Sequence, residues 1–275
     1  MTRTWLVTGV GSGFGRLLAE QLLARGDRVA GTVRRPDAVA DLRAAHGDAF
    51  SVHRLDLTDT GRIRGVVVDA AAALGRLDVV VSNAGYGLFG AAEELNDAQV
   101  THQLDTNLLG SIQLVRAALP HLRAAGGGRV LQLSSSAGQT AWPGSSLYNA
   151  TKWGIEGFCE AVAAEVAPFG IGVTIVEPGA ARTGFGATGL RVAEPLDAYD
   201  SSPAAYVHGF RDGGLPGVIG DPARMAAAMI ASVDQSPAPL RLVLGSDSWA
   251  AVTASLEARL EQVRGQRATA GATDG

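Results

Sequence analysis

The stretch Thr4-Trp5-Leu6-Val7-Thr8-Gly9-Val10-Gly11-Ser12-Gly13-Phe14-Gly15 decides the fold. Its first residues form a short β-prone run, and residues 14–25 then take on a helical pattern. Glycines between a strand and a helix let the backbone approach a pyrophosphate, which sits at the positive N-terminus of the helix. The spacing G-x-G-x-x-G fails, because its last position falls on Phe14 counted from Gly9 and on Arg16 counted from Gly11. What fits is T-G-x-x-x-G-x-G, with Gly9, Gly13 and Gly15. Any tight strand-to-helix turn uses glycine, so it is the place directly after an N-terminal strand that gives the pattern its weight.

Outward from this turn, short β-rich runs alternate with Ala/Leu-rich helical stretches, the pattern of parallel strands joined by helical crossovers. Strands are predicted at residues 5–8, 28–33, 50–54, 77–82, 129–134, 172–177 and 240–244. Helices are predicted at residues 14–25, 36–46, 58–74, 96–125, 148–167 and 222–233, with an extra one over 247–265. Runs such as Val79-Val80-Val81 and Val173-Thr174-Ile175-Val176 are apolar throughout, as in strands covered by helices on both faces. The expectation is an α/β fold: one doubly wound, Rossmann-type domain over residues 1–265, with about seven parallel strands flanked by helices on both faces. Residues 179–220 stand out as an irregular substrate loop, since connections that long are usually lids or binding loops. Residues 266–275 are expected to be a flexible tail.

Composition narrows the function classes. The 275 residues are 47% hydrophobic and 18% charged, enough apolar material for a sizeable core. A formal charge of -4 leaves no basic excess to neutralise phosphates, which argues against nucleic acid as a partner. Cys159 is the single cysteine, so no disulfide can form within the chain; a small buried residue is the reading preferred over a reactive thiol. No signal core opens the chain and no apolar run approaches the ~20 residues that span a bilayer. A cytoplasmic protein without membrane contact is the default.

The end of the second predicted strand bears on the cofactor. An NAD enzyme usually places Asp or Glu there to hold the ribose 2′-hydroxyl. This chain has Val33 followed by Arg34 and Arg35. Guanidinium forks suit a 2′-phosphate, and a helix start is a poor place for unpaired cations. NADP(H) is therefore expected over NAD(H). Asp56, in Leu55-Asp56-Leu57, either accepts from an adenine amino group or caps the helix before Thr58. Asn83-Ala84-Gly85 closes the fourth strand with residues small enough for backbone to lie against the cofactor.

Tyr148 and Lys152 share one helix face through i, i+4 spacing. A phenol titrates at about 10, and a neighbouring ammonium is expected to bring it towards the useful range. Ser134-Ser135-Ser136 ends the fifth predicted strand, and the loop after it can fold the Ser135 hydroxyl back towards the phenol. Asn107, a poor helix former in mid-helix, either holds a water that extends the proton path from Lys152 or makes an interhelical hydrogen bond.

Thr8-Gly9, Gly13-x-Gly15, Asp56, Asn83-Ala84-Gly85, Asn107, Ser135, Tyr148-Asn149-Ala150-Thr151-Lys152 and Pro178-Gly179 with Thr183, in this order, resemble the short-chain dehydrogenase/reductase family over nearly the whole chain. The resemblance implies a tetrad of Asn107, Ser135, Tyr148 and Lys152. In it Tyr148 is the general acid of reduction and Lys152 binds the nicotinamide ribose while depressing the Tyr148 pKa. Ser135 positions the carbonyl and Asn107 keeps the relay water. It further implies cofactor contacts from Gly9, Ser12, Gly13, Phe14, Gly15, Arg34, Arg35, Asp56, Leu57, Asn83, Ala84, Gly85, Tyr148, Lys152, Pro178, Gly179 and Thr183. No metal is implied, and a homodimer or homotetramer is.

Two departures stand out: Ser12 occupies a position that is often basic in NADP-preferring members, and Ser82 replaces the common first Asn of the Asn-Asn-Ala-Gly motif. Tyr86, Leu88, Phe89, Trp142, Phe185 and Leu190 are expected as pocket walls, which suits a hydrophobic ketone, aldehyde or secondary alcohol. The alternatives are a non-catalytic NADP(H)-binding regulator, and an epimerase or dehydratase on the same scaffold.

Overall fold

The computed structural model describes residues 2–183 and 189–274. The first half of the chain lays down β1 (Thr4–Thr8), α1 (Gly13–Ala24), β2 (Arg28–Val33), α2 (Ala40–His46), β3 (Phe50–Arg54), α3 (Thr60–Leu74) and β4 (Val79–Ser82). There follow β5 (Gly87–Phe89), α4 (Asp97–Gln103), α5 (Gly110–Ala124), β6 (Gly128–Leu133), α6 (Ser146–Val166) and β7 (Ile171–Pro178). The remainder is β8 (Leu190–Val192), α7 (Phe210–Gly213), α8 (Pro222–Ser232), β9 (Arg241–Leu244), α9 (Ser246–Gly265) and α10 (Arg267–Gly271).

Seven strands form one parallel sheet in the order β3-β2-β1-β4-β6-β7-β9. The order reverses direction beside β1, so the crevice at the carboxyl ends of β1 and β4 is the topological switch point where such sheets bind ligands. Pleating explains the apolar runs. Ala30, Leu6, Val80, Val130 and Val173 lie side by side across five strands and share one core with α3, α5 and α6. The next row turns the other way: Val7, Val81 and Leu131 pack with residues of α1 and α8. Each such side chain stabilises the fold by about 1.5–3 kcal/mol on burial. Cys159 is one of the buried α6 residues, and burial pushes its thiol up to about 12.

Three segments depart from the sequence expectation. The helix predicted over 96–125 is interrupted by a π-helical turn at Leu104–Leu109. The turn carries Asn107, whose amide is drawn out of the helix frame by bonds to the Tyr86 backbone. The helix predicted from residue 58 begins at Thr60, because Asp56 Oδ1 accepts from Thr58 N–H at 3.0 Å and from its hydroxyl at 2.9 Å, holding Thr58 in a turn. The segment 179–220 is more ordered than its composition implies: β8 pairs in parallel with β5, and helical turns follow at Asp197–Tyr199, Pro203–Gly209 and α7. Glu93 and Glu94 fasten this segment to the body. Tyr199 donates to Glu93 Oε2 at 2.9 Å, Leu196 N–H donates to Glu94 Oε1 at 3.0 Å, and His208 Nε2 lies 2.8 Å from the same oxygen. Burial pushes the Glu94 carboxyl up, but its N–H donors and His208 outweigh that and hold it below the ordinary value. Within residues 266–275, Arg267–Gly271 form α10 with every residue exposed.

Candidate active site

A cavity of about 940 Å³ opens along the carboxyl ends of the strands. At its centre, Thr8 ties β1 to the loop after β4: its hydroxyl accepts from Asn83 N–H at 2.9 Å and Ala84 N–H at 3.1 Å, and its carbonyl accepts from Asn83 Nδ2 at 2.8 Å. Gly9 takes φ +75°, the left-handed region. A Cβ on Gly15 would collide with the Gly9 carbonyl and lie 2.6 Å from Asn83 Nδ2. α1 therefore starts as close to the strand ends as backbone allows. Ser12 at its N-cap contributes no side-chain bond and its first turn holds no acid. The first N–H groups of a helix lack intrahelical acceptors, so this uncapped start is a cradle for an anion.

At one end of the cavity lie Arg34, Arg35, Asp56 and Leu57. Both arginines are exposed, and their guanidinium groups make no hydrogen bond or ion pair among the described residues. Asp56 closes a turn on Thr58 ahead of α3, whose N-cap is Asp59, and also lines the cavity; burial raises its pKa, but the Thr58 bonds and nearby Arg34 outweigh that and hold it low.

The other end gathers Ser135, Tyr148 and Lys152 on one wall. β6 delivers Ser135 just past its last residue, and the Ser135 hydroxyl accepts from Ala137 N–H at 3.2 Å. α6 presents Tyr148 and Lys152 one turn apart, both nearly buried at 8% exposure. Lys152 Nζ donates to the Leu133 carbonyl at 3.0 Å and lies 5.7 Å from the Tyr148 ring centroid. Burial draws Lys152 down to about 8, with Glu156 opposing. It pushes Tyr148 up to about 12, with the Ser135 hydrogen bond opposing. The direction is opposite to the lowering expected from the ammonium: in the protein alone, burial governs the phenol and favours its protonated form.

Asn107 and Gly15 support the wall from behind without lining it. Asn107 Oδ1 accepts from Tyr86 N–H at 3.0 Å and its Nδ2 donates to the Tyr86 carbonyl at 2.7 Å. It pins Tyr86, directly after the Asn83–Gly85 turn, and its Nδ2 also reaches Thr151 Oγ1 on α6 at 3.4 Å, the interhelical bond that was one of the two expectations. The remaining expected cofactor residues, Ser12, Gly13, Phe14, Pro178, Gly179 and Thr183 among them, all line the cavity.

Of the expected walls, Tyr86, Phe89 and Trp142 line the cavity. Leu88 does not: alternation along β5 turns it into the interior at 2% exposure while Phe89 faces Tyr148. Leu190 packs behind Phe89, and Phe185 lies outside the described residues. Sequence reasoning missed His102, Arg191, Phe210 and Asp247 as lining residues. Phe210 stacks edge-on against Phe89 at 5.6 Å and, with Val207, closes an apolar cluster over Tyr148. Its aromatic character was the signal available; nothing local marked the others. No group of three metal-ligating side chains is gathered among the described residues.

Comparison with known proteins agrees with this geometry. The family model described as short chain dehydrogenase matches residues 3–190. A short-chain dehydrogenase from Streptomyces avermitilis superposes with a TM-score of 0.93 at 40% identity, covering 100% of both chains. Oxidoreductase BOA17 of Botryotinia fuckeliana is 33% identical over 90% of each chain. Human retinol dehydrogenase 8 is 33% identical over 78% of this chain and 70% of its own. Fold, site and relatives agree: the chain belongs to the short-chain dehydrogenase family, oxidoreductases acting on CH–OH and C=O groups.

Proposed function

We propose that this protein is an NADP(H)-dependent carbonyl reductase or alcohol dehydrogenase acting on a hydrophobic ketone, aldehyde or secondary alcohol. The observation that carries it is one cavity with Ser135, Tyr148 and Lys152 at one end and two unpaired arginines, Arg34 and Arg35, at the other. The uncapped α1 start and the Gly9–Gly15 contact fit a dinucleotide pyrophosphate, and Arg34 and Arg35 fit a 2′-phosphate. Asn83, Ala84 and Gly85 would hold the ribose side, with Pro178, Gly179 and Thr183 along the nicotinamide. When bound, the nicotinamide supplies or accepts the hydride.

The chain's own residues handle the oxygen. Ser135 orients the carbonyl, Tyr148 donates its phenolic proton to that oxygen in reduction, and Lys152 balances the charge left on the phenolate. The Phe89–Val207–Phe210 cluster over Tyr148 excludes water and favours an apolar substrate, in keeping with the similarity to a protein named for retinol. We further propose a homodimer or homotetramer pairing through α5 and α6, with exposed Trp153 on α6, Leu109 just before α5 and Phe169 just after α6. The test is NADPH oxidation over a panel of bulky ketones and aldehydes, with NADH in parallel. Turnover with NADPH preferred is the expected result. NADPH binding without turnover of any member would favour a regulator.

A further inference from the structure

Arg191, in β8, takes no part in the proton path or in the adenosine end of the cavity, yet it lines the cavity wall. Other arginines nearby have partners: Arg211 donates to the Ala193 carbonyl at 2.7 Å and pairs with Glu194, and Arg182 donates to the Ile219 carbonyl at 3.0 Å. The Arg191 guanidinium makes no hydrogen bond or ion pair among the described residues. It instead lies over the Tyr86 ring, 4.7 Å from the centroid. Tyr86 is fixed in turn, its hydroxyl 2.8 Å from His102 Nδ1 and the two rings edge to face at 5.3 Å. Stacking engages the face of a guanidinium and leaves its edge, where the N–H donors are, for an acceptor.

In the β5–β8 pair Arg191 is opposite Leu88, on the face away from Phe89, and the Tyr86 ring carries its guanidinium to the cavity wall. It lines the same cavity as Ser135, Tyr148 and Lys152, whereas Arg34 and Arg35 follow directly on β2. Neither acid on the cavity wall pairs with it: Asp56 is bonded to Thr58, and Asp247 accepts from Ala180 N–H at 2.8 Å. Phe89, Phe210 and Tyr148 line the same cavity, so a ligand that meets both them and Arg191 joins an apolar body to an anion.

We propose that Arg191, stacked on Tyr86, is an anion-binding residue that takes a carboxylate carried by an otherwise apolar carbonyl substrate. This deepens the reductase reading and rests on it for the identity of the reacting group. The chemistry recognised is an oxyanion, which a dinucleotide phosphate also offers, so the test separates the two sources. Binding is measured calorimetrically with NADP⁺ present, using 4-phenylbutyrate and its neutral counterpart 4-phenylbutan-1-ol, on wild type and Arg191→Met. NADPH and NADH affinities are measured separately by fluorescence, and thermal melting verifies that the variant folds. The wild type is expected to bind the carboxylate about tenfold or more tightly than the alcohol. The variant should lose roughly tenfold to hundredfold for the carboxylate alone, the range of a charge-assisted hydrogen bond. Equal wild-type binding of acid and alcohol would overturn the site. Loss of both dinucleotides with unchanged carboxylate binding would assign the oxyanion to the cofactor and overturn the substrate role. Because no turnover is needed, Arg191-dependent carboxylate binding in a protein that reduces no ketone leaves the anion site standing and rejects the reductase reading.

Discussion

Tyr148 and Lys152 are shifted by the same cause in opposite directions. Burial penalises the charged form of each, so the phenol rises to about 12 and the ammonium falls to about 8. The lysine loses its proton as pH rises through about 8, and with it the charge that steadies the phenolate. Carbonyl reduction is therefore expected to decline above that pH in a kcat/KM profile, and a flat profile to pH 10 would count against the role of Lys152. Tyr148→Phe keeps the ring against Phe89 and removes only the donor. Turnover should drop by more than tenfold while NADPH affinity stays within a few-fold in a fluorescence titration. Arg34 and Arg35 can be tested together: the double alanine variant should lose about tenfold to hundredfold in NADPH affinity and almost none for NADH, which has no 2′-phosphate. Unchanged preference would reject NADP(H) as the cofactor. These residues were legible because the chemistry demands particular side chains at fixed spacing. Arg191 and His102 were not, since what brings them to Tyr86 is strand pairing and helix packing across long stretches of chain.

Elements were legible where periodicity runs long, as in all seven strands of the main sheet. β5 and β8 are three residues each and stabilise one another, so neither has a pattern of its own. The π-helical turn is likewise a tertiary effect, set by the Asn107–Tyr86 bonds. The turn from β1 into α1 was readable because glycine there answers to backbone contact alone. Its test follows from the same contact. Gly15→Ala places a methyl against the Gly9 carbonyl and Asn83 Nδ2, so α1 must shift away from the strand ends. A loss of about 1–3 kcal/mol in urea unfolding is expected from overpacking, together with weaker NADPH binding. A variant equal to wild type in both would show that the close approach is dispensable.

Across the whole molecule, one buried cluster links the active-site loop to the far strands. Glu156, one turn beyond Lys152 on α6, accepts from the Ser134 hydroxyl, Gln139 Nε2 and Arg241. Arg241, on β9, also meets Glu177 of β7 and Glu160. Gln139 continues the chain outward, its carbonyl accepting from Ser255 at 2.8 Å and Arg259 at 2.9 Å on α9. Three carboxylates thus share one guanidinium, and Glu177 bears the consequence. It is fully buried, its Oε2 has no partner among the described residues, and burial with Glu156 repulsion pushes it from 4.5 up to about 6. A carboxyl whose folded pKa is raised binds its proton more tightly in the native state. Stability from this group is present below pH 4.5 and is lost as pH rises towards 6. Above pH 6 the ionised Glu177 destabilises the fold by on the order of 2 kcal/mol, the worth of a net shift in which the opposing pull of Arg241 is already counted. Glu177→Gln removes the charge and keeps the shape. It should unfold at higher urea than wild type at pH 8, with the advantage shrinking at pH 5 as the native glutamate takes up its proton. A variant destabilised at pH 8 would mean that the Arg241 pairing outweighs the burial of the charge.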